Sequence, residues 1–157
     1  MKAPLSSLNL TCPVLAAPMA GGPTTPALVA AAARAGSLGF LAGGYKTPAT
    51  LEQQIVAVRA QTGTFGVNLF VPNPVPVDPA EFRRYAAAVQ DEAGQYGLRL
   101  DEADPVEDDD AWPEKVDLLL RDPVPAVSFT FGVPDRSVIA ALKRAGTLIL
   151  QTVTSLD

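Results

Sequence analysis

Two glycine pairs, Gly21–Gly22 and Gly43–Gly44, are the residues best suited to lie close to a ligand, because each pair follows a short apolar run. Glycine accepts a positive φ and lets backbone N–H groups approach a bound molecule closely. In parallel α/β folds the ligand site is built from the loops that follow buried strands. The two pairs therefore predict a small-molecule site at the carboxyl ends of two strands.

Other residues follow apolar runs in the same way and predict one shared edge. They are Pro18, Met19, Asn68, Phe131, Gly132, Thr152 and Thr154. Each has an ordinary structural explanation, since Met19 could fill a core and Asn68 could close an Asx turn. Together with Gly43 and Gly44 after the second strand, they occur at all five expected strand ends, which favours a common site.

Composition excludes several classes of chemistry. Histidine is absent, which removes the commonest catalytic base and metal ligand. The single cysteine, Cys12, excludes an internal disulfide and fits a reducing cytoplasm. A net charge of −5 without a Lys/Arg cluster disfavours nucleic acid and anionic membranes as partners. No apolar run approaches the roughly 20 residues of a membrane span, and no signal peptide is apparent. We therefore expect a cytoplasmic protein with no metal site.

Apolar runs alternate with helical patterns along the chain. Strands are expected at Val14–Ala17, Leu38–Leu41, Phe65–Leu69, Ala126–Phe129 and Thr147–Val153. Thr25, Thr47 and Asp78 each precede a proline, which predicts a helix N-cap followed by the first helical residue. Helices are expected over Ala27–Ala35, from Pro48 to near Gly63, from Pro79 to about Tyr96, over Pro113–Arg121, and from Asp135 or Arg136 through Leu142.

Near-continuously apolar strands that alternate with helices predict a parallel sheet in an α/β fold. Two architectures fit: an open doubly wound sheet, or the first five units of a (β/α)₈ barrel. A length of 157 residues favours the open sheet, because a complete barrel needs roughly 200–250 residues. The absence of a Gly-x-Gly-x-x-Gly fingerprint and of a Walker A loop weakens that reading. The acidic stretch at about residues 101–111 is expected to be a solvated excursion, since it lacks the ligand spacing of a cation loop.

Four blocks of the chain resemble the nitronate monooxygenase family, formerly the 2-nitropropane dioxygenases. The blocks are residues 13–44, Phe65–Phe70, Val127–Pro134 and Val153–Ser155. Flavin-dependent enoyl reductases share the first block, but the Asn-Leu-Phe-Val-Pro run that begins at Asn68 favours the nitronate group. The resemblance implies an FMN-dependent TIM-barrel oxidoreductase. About five β/α units of the barrel are then present, and residues 1–157 form the N-terminal portion of a single flavin-binding domain.

The resemblance also implies a site and a reaction. FMN lies across the barrel mouth, next to Ala17, Pro18, Met19, Gly21, Gly22, Gly43, Gly44 and Asn68. Backbone at residues 17–19 faces the isoalloxazine ring, and Asn68 hydrogen-bonds its polar edge. An alkyl nitronate is oxidised by O₂ to a carbonyl compound and nitrite. Some family members carry histidines at or near Thr130 and Gln151, so these two side chains are expected to position the substrate without acting as a base.

The resemblance places the FMN phosphate in loops after the seventh and eighth strands. Residues 1–157 alone are therefore expected to be inactive. Two alternatives remain open at this point. One is a flavin-dependent NAD(P)H:quinone or enoyl-thioester reductase. The other is a non-catalytic half-barrel that assembles with a partner chain or as a homo-oligomer.

Overall fold

A computed structural model describes residues 8–155, which contain five strands and five helices. In chain order they are β1 (Leu15–Ala16), α1 (Pro26–Arg34), β2 (Leu38–Ala42), α2 (Pro48–Arg59), β3 (Gly66–Phe70), α3 (Pro79–Gly94), α4 (Trp112–Arg121), β4 (Ala126–Thr130), α5 (Arg136–Arg144) and β5 (Leu148–Gln151). All neighbouring strands pair in parallel, in the order β1-β2-β3-β4-β5.

This strand order identifies the architecture. A doubly wound sheet reverses its strand order at a switch point, whereas a barrel adds each new strand beside the previous one. The observed order has no reversal. The open doubly wound sheet favoured by length is therefore wrong, and the fold is a partial barrel. Within residues 8–155 the sheet does not close, since β1 and β5 are its two ends.

Both faces of the sheet are apolar, and successive side chains along each strand point to opposite faces. One face packs against α1, α2, α4 and α5 and carries Leu41, Val67, Leu69, Val127 and Phe129. The other, which we call the inner face, carries a smaller cluster of Leu38, Phe40 and Ala126, against which Leu148, Leu150, Leu8 and Leu10 pack. The inner face is the side that becomes the interior of a closed barrel.

The predicted helix starts are confirmed. Thr25, Thr47 and Asp78 each accept a hydrogen bond from a backbone N–H in the first turn of α1, α2 and α3, with proline as the next residue. The ends differ from expectation by a few residues. β1 and β5 are shorter than predicted. β5 ends at Gln151, and the N–H of the next residue, Thr152, still donates to Phe129 O at 3.0 Å.

The chain divides into two compact units. The first comprises the chain up to Pro72 and from Asp110 onward, and it contains the whole sheet. The second, Asn73–Asp109, contains α3 and most of the acidic stretch. In this second unit Gln90 Oε1 accepts from Leu100 N at 2.8 Å, which ties the end of α3 to the segment that follows.

Two negative findings apply to residues 8–155. None of the helices there is long and apolar enough to cross a membrane. No three His, Cys, Asp or Glu side chains of that range are grouped so that they could hold a metal ion.

Gly39 generates a stability prediction, because α1 packs directly on its α-carbon. A Cβ at this position would lie 2.9 Å from Val29 Cα and 3.1 Å from Val29 O, and a helix backbone cannot yield easily. We expect Gly39→Ala to lower the free energy of unfolding of the complete protein by about 1–3 kcal/mol. Gly63→Ala is the matched control, since a Cβ there meets nothing within 4 Å. Denaturant unfolding curves that coincide for the two variants would contradict the assigned packing.

Candidate functional site

The carboxyl ends of the five parallel strands lie along one edge of the sheet, which we call the carboxyl edge. Ala17, Pro18 and Met19 follow β1, and Gly21 and Gly22 belong to the turn beyond them. Gly43 and Gly44 follow β2, and Gly132 follows β4. Asn68 lies inside β3, as it does in the predicted strand Phe65–Leu69, and it pairs with Ala42, the last residue of β2. The strand order thus distributes the predicted residues over adjacent positions of one edge.

Asn68 is the most constrained polar residue of this edge. Its side chain is buried, with the residue only 3% exposed. Nδ2 donates to Ser128 Oγ at 3.0 Å, to Thr130 Oγ1 at 2.9 Å and to Ser128 O at 3.2 Å. These residues share the inner face, since Asn68 pairs with Ser128 in register and Thr130 lies two residues further along β4. We call Asn68, Ser128 and Thr130 the inner polar trio.

Three aromatic rings lie where β2, β3 and β4 end. Phe70 makes edge-to-face contacts with Tyr45 at 5.4 Å and with Phe131 at 4.8 Å between ring centroids. Tyr45 and Phe131 are 78% and 75% exposed and have φ values of 61° and 72°. Bulky residues seldom adopt this left-handed conformation, and such strain is concentrated at functional sites. Tyr45 and Phe70 were missed from sequence, although both directly adjoin predicted edge residues or strand ends.

The glycines of the edge serve two different purposes. A Cβ at Gly44 would lie 2.2 Å from the Phe70 ring, and one at Gly43 would lie 2.7 Å from Asn68 O. The absence of a Cβ at Gly43 and Gly44 therefore allows the end of β2 to pack closely against β3. Gly21 and Gly22 have φ values of 79° and 121°, and a Cβ at either would meet nothing within 4 Å. The first pair is the one with open space beside it.

A cleft of about 480 Å³ lies at the ends of β4 and β5. Its lining comprises Thr130, Phe131, Gly132, Val133, Gln151, Thr152, Val153, Thr154 and Ser155. The structure thus brings together Thr130 and Gln151, the two predicted substrate-positioning residues. Both already have protein partners: Thr130 Oγ1 accepts from Asn68, and Gln151 Nε2 donates to Gly132 O and Thr152 O, each at 2.9 Å.

A buried ion pair contacts the backbone of the carboxyl edge at Tyr45. Lys115 is 1% exposed, and its Nζ lies 2.8 Å from Asp110 Oδ2. Asp110 Oδ1 accepts from Tyr45 N at 2.9 Å, so the same carboxylate holds the backbone of an edge aromatic residue. Asp110 was expected to belong to a solvated acidic stretch, but its side chain is only 16% exposed. Asp110 differs from that expectation, because the nearby Lys115 supplies the compensating charge.

Lys46 lies close to this pair. Its Nζ donates to Ala42 O at 2.7 Å and to Gln54 Oε1 at 2.8 Å. Partial burial lowers the pKa of Lys46 below its ordinary value, and the neighbouring charge of Lys115 lowers it further. Lys46 thus satisfies the last carbonyl of β2, and the Asp110 carboxylate pairs with Lys115.

Known proteins are similar to this chain over nearly its whole length. The nitronate monooxygenase family profile matches residues 2–157. A probable nitronate monooxygenase of Bacillus subtilis (strain 168) is 34% identical over 154 residues, which cover 98% of this chain and 44% of the relative. The crystal structure of a nitroalkane oxidase from Streptomyces ansochromogenes is 46% identical with a TM-score of 0.82, covering 98% of this chain and 43% of that one. FabK from Thermotoga maritima is 25% identical with a TM-score of 0.65, covering 99% and 38%. The chain spans less than half the length of these relatives.

The ion pair behind the edge yields a testable stability difference. Asp110→Asn leaves the buried Lys115 charge without its counter-charge, so we expect a loss of about 3–5 kcal/mol in the free energy of unfolding. Adding Lys115→Met to that variant should recover most of the loss. Asp122→Asn is the control, because the Arg59–Asp122 pair is well exposed and should cost less than about 1 kcal/mol. Equal losses for Asp110→Asn and Asp122→Asn would refute the buried pair.

Proposed function

The chain belongs to the nitronate monooxygenase family, and from that membership we propose an FMN-dependent oxidoreductase that converts alkyl nitronates and O₂ to carbonyl compounds and nitrite. The flavin-facing wall of the site is formed by the carboxyl edge of residues 1–157. One observation carries the proposal: the buried amide of Asn68 lies on the inner face near the carboxyl end of β3, where it contacts Ser128 and Thr130.

The residues of the edge fit the isoalloxazine part of the cofactor. A flavin ring has two flat apolar faces and one polar edge, so it needs close apolar walls and a few fixed polar groups. Met19, Phe70 and Phe131 supply apolar surface, and no hydrogen bond from residues 8–155 reaches Asn68 Oδ1. Gly21 and Gly22 leave space beside the turn after β1. We assign the ring to the backbone of residues 17–19, with Asn68 at its polar edge.

The polar side chains of the cleft favour a substrate that arrives already deprotonated. Histidine is absent from the 157 residues, and the Thr130 hydroxyl is no base near neutral pH. A nitronate is the anion of a nitroalkane and needs no proton removed from carbon. Thr130 and Gln151 are therefore proposed to orient it in the cleft at the ends of β4 and β5.

The overall reaction balances without a further reductant. Two nitronate anions and one O₂ give two carbonyl compounds and two nitrite anions. In each nitronate the C–N bond breaks, nitrite leaves with the negative charge, and the carbon gains one oxygen atom from O₂. Each nitronate loses two electrons, which appear formally as oxidation of its nitrogen, and O₂ gains four. The chemistry that a bound flavin supplies is the transfer of these electrons from nitronate to O₂.

The complete protein is expected to purify with FMN and to release nitrite from an alkyl nitronate in air. The measurement compares nitrite formation from the nitronate, nitrite formation from the neutral nitroalkane, and NADH consumption with a quinone or an enoyl thioester. Faster turnover of the nitronate supports the proposal. Rapid NADH oxidation without nitrite release would assign the protein to the reductases instead.

Asn68 and Thr130 should differ in what their removal affects. Asn68→Ala removes the amide at the polar edge of the ring and should weaken FMN binding by about 1–3 kcal/mol. Thr130→Ala should have a smaller effect on flavin content and on oxidation of a preformed nitronate. FMN content after purification and steady-state nitrite release check the two variants side by side. Full flavin content and rate in Asn68→Ala, with loss of activity in Thr130→Ala, would reverse the assigned roles.

A further inference from the structure

We infer that Ser128 is a positioning residue that turns the Asn68 amide so that Oδ1, and not Nδ2, faces the ligand. The carboxyl edge then recognises an N–H donor on a planar ring, such as the imide N–H of a flavin. This inference rests on the proposed function and adds to it the direction of one hydrogen bond and the residue that sets that direction.

The Ser128 carbonyl fixes which way the amide points. The nitrogen and oxygen of an Asn side chain have nearly the same shape, so their assignment has to follow from the partners. A backbone carbonyl can only accept a hydrogen bond, and Ser128 O lies 3.2 Å from Nδ2. Reversing the amide would place two acceptors against each other. The nitrogen of Asn68 therefore faces β4.

The donor capacity of Asn68 is fully used by its neighbours on β4. The amide has two hydrogens, and three acceptors lie within 3.2 Å of Nδ2: Ser128 O, Ser128 Oγ and Thr130 Oγ1. All of these contacts are made by Nδ2, so the oxygen Oδ1 takes no part in them. A ligand at this position must accordingly supply a donor, because a second acceptor facing Oδ1 would be repelled.

Ser128 is better placed than Thr130 to set this orientation. It is the direct partner of Asn68 in the β3–β4 ladder, and it supplies two of the three acceptors. Both residues lie inside strands, so the ladder holds their relative positions. Thr130 is the last residue of β4 and lines the cleft, where its hydroxyl can also contact a substrate.

Titration of the FMN-free complete protein with FMN tests the inference without relying on turnover. Ser128→Ala keeps the backbone carbonyl and removes Oγ, one of the three acceptors that hold the amide, so it should raise the dissociation constant several-fold. Ser128→Thr, which keeps the hydroxyl, should restore it. Because Ser128 acts through Asn68, the double variant Asn68→Ala/Ser128→Ala should bind FMN no more weakly than Asn68→Ala alone. Thr147→Val is the matched control: it removes another buried strand-end hydroxyl, bonded to Val124 O at 2.9 Å, and should leave FMN binding unchanged.

A ligand-side probe keeps the test decisive if a variant folds poorly. FMN methylated at the imide nitrogen lacks the N–H, so it should bind the unmutated protein at least about tenfold more weakly than FMN. That difference should disappear in Asn68→Ala.

Three results would overturn the inference. They are equal binding of FMN and the methylated analogue, additive losses in the double variant, and an unchanged dissociation constant in Ser128→Ala. Each of them leaves the proposed function standing, because FMN still binds. An unmutated protein that binds no FMN would overturn both.

Discussion

The register between β3 and β4 is the constraint on which the rest of the site depends. Asn68 pairs with Ser128, while Val67 and Val127, one residue earlier, face the helices. A slip of one residue would turn the valines to the inner face and bury the amide among helices. The apolar core beneath the helices therefore excludes that slip, and the same packing that stabilises the sheet places one amide group on the inner face.

Two further features shape the carboxyl edge next to the β3–β4 ladder. Glycines 43 and 44 let the strand ends close on Asn68 and Phe70. A buried carboxylate, Asp110, holds the backbone of Tyr45 and balances Lys115. A buried pair of this kind is seldom a net gain in stability, because both charges lose their hydration. What this pair does here is fix the backbone of an edge aromatic residue, because Asp110 Oδ1 accepts from Tyr45 N.

Local signals in the sequence account for much of the fold. Threonine or aspartate before proline located the starts of α1, α2 and α3, and apolar runs located all five strands. What they could not provide was the partner of each polar side chain. Tyr45 and Asp110 are 65 residues apart, and Asn68 and Ser128 are 60 apart, so only the completed strand order brings them together. For the same reason the choice between open sheet and barrel could not be made from length.

The most direct measurement is a crystal structure of the complete protein with FMN bound. The isoalloxazine ring is expected to lie at the carboxyl edge of β1–β4. Its imide N–H should lie within hydrogen-bond distance, about 2.7–3.2 Å between heavy atoms, of Asn68 Oδ1. Asn68 Nδ2 should keep its contacts with Ser128 and Thr130. A flavin bound away from this edge, or one whose carbonyl oxygen accepts from Asn68 Nδ2, would contradict the account.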